Sequence, residues 1–175
     1  SPLTALRTEL TIPARVILIA LACLAVVAGY VETAAYGRQA TDLAVVLFAL
    51  AGVGYMLDAL HPDVGRWAAV IAFALGILAW ALILGASSPL ALLSIPIALA
   101  GLVVSVWAVP IMALMTGLCV WLGANQGYLA LEGSARWMTY LGIGSGVVVG
   151  LASHWPVQRA ATMAWDHYHR AQDVL

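Results

Sequence analysis

The sequence predicts an all-α integral membrane bundle of six transmembrane helices followed by a cytoplasmic helix. Three observations predict it. Apolar residues fill 64% of the 175 positions and charged residues 9%, against roughly 45–50% and 25% in soluble domains. Mean hydropathy is +1.01. The apolar residues gather into runs about as long as the 20 residues a helix needs to cross a bilayer, separated by short loops bearing Pro, Gly or Arg. This composition excludes a water-soluble globular domain, a disordered chain and a disulfide-stapled secreted domain. It also leaves little chain for a self-contained soluble active site.

Three regions follow in order. Residues 1–15 are a mixed segment in which Leu3, Leu6 and Leu10 recur at helical spacing, predicting a brief amphipathic turn at the cytoplasmic membrane surface. Residues 16–155 are the transmembrane domain. Its first span is 16–31; a cleavable signal peptide is the rival reading, but no small-x-small site precedes a polar start. Span two is 43–60, with Gly52 and Gly54 inside and Asp58 near its end. A Pro- and Gly-bearing turn at 61–66 leads to span three, 67–85, and residues 86–89 form the next turn. The stretch 90–123 is uncharged and would measure about 51 Å as one helix, well beyond the roughly 30 Å hydrocarbon core. Two short spans with a bend near 107–110 fit it better than one; a single span would reduce the bundle to five. Loop 124–136 is polar, and 137–155 is the last span.

Arginine placement favours six. All seven basic residues are arginine. Six spans put Arg7, Arg15, Arg66, Arg159 and Arg170 on one side and Arg38 and Arg136 on the other, as the cytoplasmic excess of positive charge requires. A single span over 90–123 would split them four against three. Both termini are therefore expected in the cytoplasm. Trp67, Trp107, Trp121, Trp137 and Trp155 fall at span ends, where amphipathic rings favour the headgroup level; Trp80 does not. The formal net charge of -1 offers no basic patch for nucleic acid.

Residues 156–175 change character. The stretch after Trp155-Pro156 is polar, and Pro156 suits the first turn of a helix leaving the membrane. Val157, Ala161, Ala164, Tyr168, Ala171 and Leu175 recur at alternating spacings of four and three, the seam of a coiled coil. An ordinary amphipathic surface helix is the alternative. The seam runs to Leu175 without a terminating Gly or Pro, which predicts that the helix carries on into a longer chain.

A loop-poor, multi-span region that ends in Trp155-Pro156 and runs into a polar Ala/Arg/His/Asp-rich helix resembles the amino-terminal input region of bacterial sensor histidine kinases. The resemblance implies location in the bacterial inner membrane, a homodimer, and a downstream kinase region that passes phosphate to a response regulator. It transfers no catalytic residue. His154, His167 and His169 all lack the acidic neighbour of the family's phosphoacceptor box, and its ATP-binding boxes are absent. An accessory structural subunit of a larger membrane complex and a small transporter are the readings from other classes.

Candidate sites are few. Ionisable groups inside a span cost roughly 2.5–3.5 kcal/mol on insertion scales, which singles out Glu32 and Asp58. Glu32 reads as an interfacial carboxylate paired with Arg38, or as a ligand site. Asp58 reads as a partner of Arg66 or a cap on the turn at His61. On the outer side Glu32, Tyr36, Arg38 and Asp42 of one loop face Asn125, Gln126, Tyr128, Glu132 and Arg136 of another. They form either a shallow ligand site or a solvated rim. Gly142, Gly146 and Gly150 line one helical face and predict a close helix–helix interface, within a protomer or between two. Neither Cys23 and Cys119 nor the pairs His61/Asp63 and Asp166/His169 has metal or haem spacing, so no cofactor and no metal are expected. Membrane lipid is the one partner that the composition itself implies.

Overall fold

The computed structural model describes residues 15–23, 37–85, 87–129, 131 and 133–172, with Pro62 and residues 154–172 described for their backbone alone. Every regular element among them is helical. Residues 15–23 form α1. Then come α2 (Arg38–Leu60), α3 (Pro62–Leu84), a 3-10 helix (Ser88–Leu93), α4 (Ser94–Val103), α5 (Ala108–Asn125) and α6 (Ser134–Gln172). Among the described residues three helices are long and apolar enough to cross a membrane: Arg38–Leu60, Asp63–Leu84 and Ala108–Asn125.

The helix ends follow local chemistry. His61 adopts an extended backbone between α2 and α3, and its N–H donates to the Leu57 carbonyl at 2.9 Å, closing α2. Pro62 then opens α3 where its missing N–H is no loss, and Asp63 places a negative charge in the first turn, against the positive end of the helix dipole. One residue thus turns the chain back on itself. At the far end Gly85, at φ 64°, supplies the left-handed cap.

α3 is the central element. One of its faces joins Leu18, Leu21, Leu43 and Leu47 of α1 and α2 through Ala69 and Ala72. Another joins Leu90, Leu93, Ile97, Val109 and Met112 through Val70, Ala74 and Ile77. Outside these two clusters, Val45, Phe48, Leu60, Leu114, Leu141 and Val148 are exposed. Such a girdle of large apolar side chains is costly in water and suits a hydrocarbon surround.

The uncharged stretch does bend. Helix α4 ends at Val103, α5 starts at Ala108, and Pro110 falls in the first turn of α5. The turn lies at 104–107, slightly ahead of the expected 107–110. The 3-10 helix and α4 together measure about 27 Å, because a 3-10 residue rises about 2.0 Å and an α residue 1.5 Å.

Other boundaries shift. Helix α2 begins at Arg38, five residues before the expected 43, so Arg38 and Asp42 sit on helix rather than loop. The last span and the exit helix are continuous, α6 being one helix of 39 residues from Ser134 to Gln172, so Pro156 does not stand in a first turn. It lies in the helix interior and has no N–H to offer the Ala152 carbonyl. Such prolines are tolerated in membrane helices, where neighbouring groups or water satisfy the freed carbonyl.

Candidate functional site

Among the residues whose side chains are described, one carboxylate is buried, that of Asp58. Along α2 the buried positions are Ala40, Leu43, Leu47, Ala51, Gly54 and Asp58, a stripe at three- and four-residue spacing that faces the bundle. Asp58 continues that stripe, which brings it inward at the end of the α2–α3 hairpin. Its side chain is 1% exposed.

Its partner is Arg15, not Arg66. Arg15 Nε donates to Asp58 Oδ2 at 2.8 Å, across 43 residues of sequence. Nor does Asp58 cap the turn at His61, because its other oxygen, Oδ1, is buried without a hydrogen-bond partner. Helix α1 runs antiparallel to α2: Arg15 meets Asp58, and one turn further on Leu18 lies against Gly54. The hydrogen bond to Asp58, and then the charge of Asp58, raise the Arg15 pKa above its ordinary value. The guanidinium therefore stays charged at any pH a cell reaches. Its side chain is 49% exposed, so half of this ion pair touches solvent or headgroups and half does not.

Helix α3 closes the other side. A Cβ added at Gly65 would collide with the Asp58 backbone and sit 2.6 Å from Oδ1; glycine is what lets the carboxylate lie against α3. The next residue, Arg66, reaches Asp63 Oδ1 through Nη1 at 3.7 Å, with its side chain 15% exposed. Its Nε is buried and without a hydrogen-bond partner. One unused acceptor and one unused donor therefore lie at the same end of the hairpin. This arrangement can bind and exchange hydrogen-bond partners. It holds no activated nucleophile, and no three His, Cys, Asp or Glu among the described residues gather for a metal.

The expected outer cluster lies only partly within the described residues. Glu32, Tyr36 and Glu132 lie outside the described residues. Arg38, Asp42, Asn125 and Arg136 are exposed on the ends of three different helices, and no hydrogen bond or ion pair links these four. Gln126 and Tyr128 instead edge an otherwise apolar hollow of about 620 Å³, formed with Val46, Leu50, Leu75 and Leu82 of α2 and α3.

The glycine stripe lies against the 3-10 helix and α4 of its own chain. A Cβ at Gly142 would stand 3.0 Å from the Ala91 carbonyl oxygen, and one at Gly146 2.7 Å from that of Ser94. Gly150 meets Ala98 and Val109, and Gly101 of α4 meets the Gly150 carbonyl in return. Gly144, off the stripe, has open space. Of the seam, Val157, Ala161, Ala164, Tyr168 and Ala171 lie in α6, where only the backbone is described, and Leu175 lies outside the described residues.

Sequence reasoning missed Arg15, assigning it only to the cytoplasmic charge count, and it missed Gly65. The stripe on α2 was the available signal: a charged residue in register with Leu43, Leu47 and Ala51 must face inward and needs a cation there. Comparison with protein families, curated proteins and solved structures returns no match.

Proposed function

We propose that the chain is the membrane-embedded input and anchoring region of a dimeric bacterial signal-transduction protein, a sensor histidine kinase by its resemblance. In this reading six helices cross the inner membrane, both termini are cytoplasmic, and α6 carries motion to a catalytic region that serves a response regulator. One observation supports it above the others: α6 is a single helix of 39 residues. At 1.5 Å per residue it measures about 58 Å, nearly twice the hydrocarbon thickness of about 30 Å. A continuous helix transmits displacement, whereas a hinge at Pro156 would absorb it. The near-spanning length of the 3-10 helix with α4 supports a fourth crossing.

Disulfide trapping in native membranes tests the reading. Single cysteines at Ala161 and Ala164, on the seam, are expected to cross-link two protomers, while Gln158→Cys, off the seam, is not. No cross-link at either seam position removes the dimeric sensor. It then favours an accessory structural subunit, a reading that draws support from the glycine stripe being occupied within the chain.

A further inference from the structure

Asp58 has two oxygens and one bonded cation. Oδ2 accepts from Arg15; Oδ1 is buried, unpartnered, and directed at the backbone of α3 beside Gly65. Arg66, the next residue, has a buried Nε with no acceptor and only a long 3.7 Å contact to Asp63. The two cations differ in what surrounds them. Arg15 is half exposed, so it can withdraw to water or headgroups, whereas the carboxylate cannot follow it. A buried carboxylate stripped of its cation is strongly unfavourable, and α1 can lift off only if another positive group takes over.

We propose that Asp58 is the shared acceptor of an exchangeable ion pair, held by Arg15 while α1 is docked and by Arg66 when α1 lifts away. Arg66 moves its guanidinium from the exposed Asp63 to the buried Oδ1, and the hairpin end keeps one cation on its carboxylate in both states. The exchange does not depend on the signalling reading, since it concerns only how α1 attaches to the bundle. Arg15 remains charged throughout, so position and not titration of the arginine decides which state is occupied.

Two measurements on the full chain in detergent or nanodiscs test this. The first is the thermal midpoint of Arg15→Gln, Arg66→Gln and the double variant. Because each arginine covers for the other, each single change is expected to lower the midpoint modestly and the double change by more than the sum. Adding Asp58→Asn to the double variant is expected to restore most of the loss. Additive effects, or no recovery with Asp58→Asn even where the double variant fails to fold, would overturn the exchange; so would a single Arg15→Gln as damaging as the double. The second uses cysteines at Ile19 and Phe48, which line the same hollow between α1 and α2, with Cys23 and Cys119 replaced by Ser. Cross-linking is expected to be lost in Arg15→Gln and retained in Arg66→Gln. Equal yields in the two variants would leave Arg66 no role in holding the released state and refute the proposal.

Discussion

At the scale of single residues, space beside Asp58 is the limiting quantity. Gly65 leaves no volume for a methyl group, and the atoms in the way belong to the Asp58 backbone as well as its side chain, so they cannot swing clear. Gly65→Ala is expected to destabilise by about 1–3 kcal/mol, the usual cost of overpacking, and to break the Arg15–Asp58 bond as α2 and α3 part. Gly52, on the same hairpin, faces open space, so Gly52→Ala is expected to stay within about 1 kcal/mol of the parent. Thermal midpoints of the two variants, at roughly 2–4 °C per kcal/mol for a chain of this size, distinguish them. Equal midpoints would mean that the carboxylate does not lie against α3.

At the scale of elements, α6 and α4 pack backbone to backbone. Gly146→Ala sets a methyl group against the Ser94 carbonyl and Cα and is expected to cost about 1–3 kcal/mol; Gly144→Ala, two residues away, is expected to be neutral. The helices themselves were readable because hydrophobic runs and Pro/Gly turns are local signals: the bend inside 90–123 followed from length alone. Continuity of the last span with the exit helix was legible too, from the seam that follows it; the interior place of Pro156 was not, and α6 runs through it because helix propagation costs little once a long helix is established. One pairing was not readable either. The Arg15–Asp58 pair joins residues 43 apart, and nothing in a linear pattern says which of several arginines a carboxylate will meet.

At the scale of the whole molecule, the charged end of the hairpin fixes a direction. Arg15, Asp58, Asp63 and Arg66 gather at one end of α1, α2 and α3, and in the proposed topology the cytoplasmic excess of arginine puts that end inside. The proposed six crossings put Ser87 and Arg136 on the opposite side. Single cysteines at these two positions are expected to react with an impermeant maleimide added to intact cells, and a cysteine at Asp63 only after permeabilisation. Labelling of Arg136→Cys only from the inside would reduce the count to five and reverse the last helix.

The contact between α6 and α4 limits what any such device can do. Helices separated by side chains can slip like loosely meshed gears, each tooth yielding a little. Here carbonyl groups lie where the teeth would be, with no clearance left. Turning the long rod about its own axis would press the side chains that flank the glycines into those carbonyls, so a shared tilt or a shared thrust of the two is expected to cost less.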